Sequence, residues 1–284
     1  MVGRFMKRVL LLVFITLAAA YAALCLLMFF MQREMLYYPS TTSVSEQLRY
    51  AHGAGLELWL DANGGRIGWK RESAEAAAQH WLVMHGNAGH AVQRAYWVDT
   101  LERVSPSRAL SVYLLEYPGY GERSGSPTET SLTNAALAAF DTIAGNNRLH
   151  LLGESLGCAL AAQVVRHRPE GVGGLVLLPP FDRLADVASY HYPWLPVRGL
   201  VKDRWELDTA LMDFPGPLAS IAAERVSIVP ARFAQRLHAE HPGLKSLHIF
   251  PARITISLSS TELSFVRRSP SRPRGRRTTL LVNR

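Results

Sequence analysis

Ser155 stands in "GESLG", Gly153 to Gly157, a G-x-S-x-G match between the apolar run "LHLLG" (149 to 153) and the helix-like "GCALAAQVVRHRPEG" (157 to 171). Strand, sharp turn and helix in that order lift a serine hydroxyl off the end of a sheet, where it can attack a carbonyl carbon. Strand and helix approach too closely there for a Cβ on either side, which is what the two glycines answer. The attack creates an oxyanion that two backbone N–H groups must hold, one from the residue after the nucleophile and one from a loop after a neighbouring strand. Leu156 is the first; "HGNAGH", His85 to His90, follows the apolar "WLVM" and offers Asn87 as the second. His85 and His90 lack the carboxylate or cysteine companions of a metal site and are expected to be structural. "EYPGYGERSGSPTE", Glu116 to Glu129, reads as a rigid connector with a secondary role in shaping a pocket.

These residues need a sheet to position them. Unalternating apolar runs at "HWLVMHG" (80 to 86), "LSVYLLEY" (110 to 117), "LHLLG" and "GLVLLPP" (174 to 180) suit parallel strands buried on both faces. A helical period marks "TETSLTNAALAAFDTIAG" (128 to 145), and the 157 to 171 helix is ended by Pro169 and Gly171. "LELWL" (56 to 60) and "RIGWKR" (66 to 71), joined by "DANGG", read as an antiparallel hairpin. Alternating strand and helix give a doubly wound α/β fold. The stretch 181 to 214 is long for a connection and reads as a cap over the C-terminal edge of the sheet. Its aromatics Tyr190, Tyr192 and Trp194 are expected to pack on the sheet, with an acyl-pocket lining as the alternative.

The ordered set "HGNAGH", "YPGYGERSGSPTE", "GESLG" and "PPFDRL" resembles membrane-anchored α/β-hydrolases of the serine-aminopeptidase or lysophospholipase-like group, over roughly Leu36 to Pro251. The resemblance implies an α/β-hydrolase fold, with an eight-stranded, mostly parallel sheet and a cap insertion. It also implies hydrolysis of an ester, thioester or amide through an acyl-serine. It further places an acid after the strand "GPLASIAA" (216 to 223) and a histidine after "SLHIFP" (246 to 251). At the acid position stands Val226, whose side chain cannot orient an imidazole; Glu224 and Asp182 are the two substitutes within the same sheet edge. No histidine follows His248, and His238, His241 and His248 fall on or beside the last helix and strand, where structural roles are expected. The closing helix of the fold has no counterpart in the Ser- and Arg-rich 259 to 284, which reads as disordered and consistent with a change of reading frame.

The chain carries a net charge of +8, but seven arginines against Glu262 give the tail +6 and leave the remainder near neutral. Nucleic-acid binding through that tail therefore ranks last. At the other end, Arg4, Lys7 and Arg8 in a basic flank (1 to 8) precede an uncharged apolar run from Val9 to Met31, long enough to cross a bilayer. A cleaved signal peptide is the competing reading, disfavoured because "LCLLMFFM" continues past the small residues. The basic bias keeps the amino end inside and puts the body on the periplasmic or extracellular side. A polar linker (32 to 49) would join this anchor to the hydrolase domain (50 to 258). Cys25 and Cys158 support no disulfide framework, and Cys158 is expected in the core. No cofactor or metal is called for, and the partners expected are an acyl-containing small molecule and the membrane. Two readings of function stand: a serine hydrolase weakened by unfilled acid and histidine positions, or a membrane-tethered pseudoenzyme that binds without turnover.

Overall fold

Eight strands form one twisted sheet, and the apolar runs lie at its centre. They are β1 (Glu57–Leu60), β2 (Arg66–Arg71), β3 (Gln79–Met84), β4 (Leu110–Leu115), β5 (Leu149–Glu154), β6 (Val172–Leu178), β7 (Leu218–Ala223) and β8 (Lys245–Phe250). Their order across the sheet is β8-β7-β6-β5-β3-β4-β2-β1. The hairpin of β1 and β2 and its pairing with β4 are antiparallel, whereas β3 through β8 run parallel. β4 is buried at every residue, as an unalternating run with helices on both faces must be. A computed structural model describes residues 2–40, 42–75, 78–145, 147–224, 228–251, 253–256 and 263–266.

Helices cover the two faces unequally. α4 (Glu129–Ala144) and α5 (Leu156–His167) pack on one face, with α8 (Leu207–Leu211) against α5 and α9 (Ala231–Glu240) beside β7 and β8. Leu82, Leu151, Leu160, Val164, Leu177 and Phe233 interlock there in the larger core. From Leu156 to Val165 every residue of α5 is buried, and all but Gln163 lack a polar side chain capable of strong hydrogen bonding, as enclosure by the sheet and neighbouring helices requires. On the other face α2 (Val44–Gly53) and α3 (Tyr96–Val104) enclose Val83, Val98, Leu101, Val112 and Leu114.

Outside the sheet core the structure departs from the sequence reading. α1 runs from Val2 to Leu36, so the apolar segment belongs to one unbroken helix that also takes in the basic flank and the first part of the expected linker. Further along that linker, Tyr38–Pro39 pairs in parallel with Ala88–Gly89, and α2 begins at a Ser43 cap that accepts the Glu46 N–H. Within 181 to 214, α6 (Leu184–His191) and α7 (Val197–Leu200) form the cap, while α8 returns to the core. Tyr190 and Trp194 do not pack on the sheet. They are 46% and 51% exposed at the tip of the cap, and Tyr192 lines a cavity instead. The part of the cap that carries Trp194 meets α1, where the Tyr21 hydroxyl donates to the Trp194 carbonyl, while α6 buries Val187 in the larger core.

After β8 the described residues hold only an antiparallel pair, Arg253–Ile256 with Leu263–Val266. Val226 and the tail other than 263–266 lie outside the described residues.

Candidate active site

The parallel strands β3, β5, β6 and β7 end at one edge of the sheet, and the candidate residues follow them there: Asn87 after β3, Ser155 after β5, Asp182 after β6 and Glu224 after β7. Ser155 has φ 49° and ψ −111°, a left-handed conformation that an L residue holds only where its surroundings force it. Its own N–H donates to the Leu178 carbonyl at 2.8 Å, and its carbonyl accepts from the Cys158 N–H at 2.9 Å. The turn cannot relax, because a Cβ on Gly153 would lie 2.6 Å from the Cys158 backbone. One on Gly157 would lie 2.1 Å from the Met84 carbonyl oxygen. Cys158 is buried and donates its Sγ–H to the Gly153 carbonyl at 3.1 Å; burial pushes its thiol pKa up, as befits a core residue.

The loop after β3 abuts this turn: an ideal Cβ on Gly86 would sit 3.6 Å from the Ser155 Cβ. Asn87, next along, is pinned on three sides. Its carbonyl accepts from the Tyr38 N–H and the Tyr120 hydroxyl, each at 2.8 Å, and its side-chain amide donates to the Leu36 carbonyl at 2.9 Å. Among the described residues no carbonyl accepts from the Asn87 N–H. The Leu156 N–H, first in its helix, has no intrahelical acceptor either.

A buried polar cluster that the sequence reading missed lies beneath the elbow. Glu154, the residue before Ser155, is 1% exposed and accepts from Arg94 Nε at 3.0 Å, from Trp97 Nε1 at 2.5 Å and from the Tyr96 hydroxyl. Burial beside that carboxylate pushes the Tyr96 pKa up. The cluster fixes the last residue of β5 to the segment that follows the Asn87 loop. No local pattern discloses it, because its partners are about sixty residues apart.

The acid and base positions are different in kind. The Asp182 carboxylate accepts from the Arg183 N–H at 2.8 Å and pairs with Arg236 Nη2 of α9 at 2.5 Å. Burial raises its pKa in spite of these partners. Glu224 is exposed.

All ten histidines lie among the described residues, and none bonds the Ser155 hydroxyl. His85 is buried, its Nδ1 against the Gly86 carbonyl at 2.8 Å and its ring stacked on Tyr117. His90 meets Thr42 Oγ1 at 3.0 Å, and burial lowers its pKa. His241 contacts the Gly216 carbonyl at the opposite edge of the sheet, and His248 is exposed on β8. His191, which sequence reading passed over, ends α6 with Nε2 on the Ile228 carbonyl at 2.8 Å.

A model of the α/β-hydrolase fold matches residues 80–225. The chain belongs to the α/β-hydrolase family. An uncharacterized protein of Mycobacterium tuberculosis is 33% identical over 228 residues, which cover 78% of this chain and 79% of that protein. The lysophosphatidylserine lipase ABHD12 of Xenopus tropicalis is 33% identical over 151 residues, 49% of this chain and 37% of its own length. Among solved structures, an esterase of Pyrococcus furiosus superposes with a TM-score of 0.55 at 13% identity, over 76% of this chain and 89% of that one, a likeness of fold.

Proposed function

We propose that this α/β-hydrolase is a membrane-tethered serine hydrolase in which Ser155 forms an acyl-enzyme with an ester, thioester or amide, at a rate far below that of a complete triad. The observation that carries the reading is the strained Ser155 turn set against the Gly86–Asn87 loop. Ser155 Oγ attacks the acyl carbonyl and its proton leaves to water. The Asn87 and Leu156 N–H groups hold the oxyanion, the leaving group departs, and a water molecule cleaves the acyl-serine. The lipase name of the ABHD12 relative supports an acyl lipid as the substrate class. α1, whose mean hydropathy reaches 2.7 and in which no described residue is fully buried, would be the single span, with Arg4, Lys7 and Arg8 inside and the hydrolase body on the periplasmic or extracellular side.

Asp182 and Glu224 remain the candidate acids. The low rate follows from the base: loss of the histidine of a serine triad costs on the order of 10⁶ in turnover, leaving about 10³ to 10⁴ over water from the oxyanion hole and binding. The engagement of Asp182 with Arg236 and the distribution of the histidines favour a second reading, a pseudoenzyme that binds acyl compounds without turnover. Hydrolysis of a short-chain nitrophenyl ester by the full-length protein separates them. Slow release that disappears in Ser155→Ala supports the hydrolase, and release no different in the variant supports the pseudoenzyme.

A further inference from the structure

The C-terminal third of α1 does not stand apart from the body. Cys25, Met28, Phe29, Gln32, Met35 and Leu36 are half-buried at helical spacing, while every other described residue of the helix is exposed. That stripe faces the cap. Arg33 clamps Asp203 through two hydrogen bonds of 3.0 and 3.1 Å, and the Tyr37 hydroxyl donates to the same carboxylate at 3.1 Å. Gln32 bridges the Leu200 carbonyl and the Lys202 N–H, and the Tyr21 hydroxyl reaches the Trp194 carbonyl at 2.8 Å.

Between helix and cap these contacts leave a cavity of about 440 Å³, lined by Met28, Phe29 and Leu36 on one side and by Val187, Ala188 and Leu195 on the other. Its charged lining residues, Arg33 and Asp203, neutralise each other, and Gln32 and His191 are bonded to backbone, so the wall offered to a ligand is apolar. Asn87, whose N–H is the proposed oxyanion donor, is also among its lining residues. At about 30 Å³ for a group the size of a water molecule, the volume takes a single chain on the order of fifteen such groups.

The depth of this cavity identifies where the chain comes from. From Val9 to Leu24, where α1 is wholly exposed, the helix measures about 24 Å at ~1.5 Å per residue. That is about 6 Å less than a ~30 Å hydrocarbon core. A cap that grips the helix as far down as Tyr21 therefore enters the membrane surface, and its exposed tip carries Tyr190 and Trp194, the residue types enriched at that boundary.

Resting on the acyl-serine reading above, we infer that α1 is one wall of the acyl-chain site: a monoacyl lipid slides from the bilayer into the cavity between α1 and the cap, its ester end arriving at Asn87.

The test uses the full-length protein in phosphatidylcholine vesicles holding a palmitoyl monoglyceride with a terminal diazirine, followed by photolysis and peptide mapping. Cross-links are expected on Met28, Phe29, Val187 and Ala188, reduced at least tenfold by excess unlabelled monoglyceride. Ala188→Trp and, independently, Met28→Trp on α1 should each cut them at least fivefold, whereas Val104→Trp on α3 should not; thermal melts verify that each variant is folded. Cross-links confined to the outward face of 9–24, or unchanged in both cavity variants, overturn the inference. Cavity cross-links in a protein whose Ser155 is inert to a fluorophosphonate keep this site and reject the hydrolase reading; a reactive Ser155 without cavity cross-links rejects this site alone.

Discussion

Replacing Arg94 by Met removes the only cation among the described residues that pairs with the carboxylate of Glu154 in the cluster under the nucleophile turn. Arg94 is 6% exposed and Glu154 1%, so water cannot take over. Breaking a buried ion pair from one side costs about 3–5 kcal/mol, because the remaining charge stays desolvated. The Tyr96 hydroxyl and Trp97 Nε1 still donate to Glu154, which places the cost near the low end of that range. Loss of the Arg94 Nη2 bond to the Ala88 carbonyl, 3.2 Å long, adds about 1 kcal/mol. The total of about 4 kcal/mol, at ~2–4 °C per kcal/mol for a domain of this size, lowers the melting temperature on the order of 10 °C. Far-UV circular dichroism of the full-length protein in detergent measures it. Adding Glu154→Gln to Arg94→Met removes the orphaned charge and should restore at least half of the loss. A single variant that melts within about 2 °C of wild type, or a double variant no better than the single, refutes the electrostatic reasoning.

Other expectations follow from the same geometry. Gly157→Ala drives a methyl group against the Met84 and His85 carbonyls, so it should cost about 1–3 kcal/mol or more and abolish fluorophosphonate labelling while far-UV ellipticity persists. Ser155→Gly should melt higher than Ser155→Ala by the equivalent of about 1 kcal/mol, since only glycine holds φ 49° without strain; equal melting would mean that the turn is unstrained. Burial lowers the folded pKa of His90, His150 and His241, so between those values and ~6.5 the unfolded chain binds more protons and stability falls as pH drops. The urea midpoint should be lower at about pH 5.5 than at about pH 7.5, and His90→Gln should shrink that difference; a midpoint that rises on acidification contradicts the sign.

The central strands were legible because a strand buried on both faces must be apolar throughout, and β3 to β6 begin and end within two residues of the runs that announced them. The nucleophile turn was legible for a related reason: the close approach of β5, α5 and β3 admits only glycine at 153 and 157. α2 and α3 left weaker marks, being short helices whose stability comes from burying one face. The Glu154 cluster and the clamp of Arg33 on Asp203 join residues about 60 and 170 positions apart, and no periodicity records such a pair. Tyr190 and Trp194 read as sheet-packing residues because an exposed aromatic residue and one facing a core look alike in sequence. The cap also meets α1, which the sequence presented as a separate anchor.

The most direct test of the account is the rate at which a fluorophosphonate labels the full-length protein, measured from pH 5 to pH 9 beside Ser155→Ala. Slow labelling that requires Ser155 and has no inflection near pH 6 to 7 is expected on the proposal that no histidine serves the hydroxyl. Rapid labelling with a histidine inflection in that range contradicts the missing base, and absence of labelling in a folded protein contradicts Ser155 as a nucleophile.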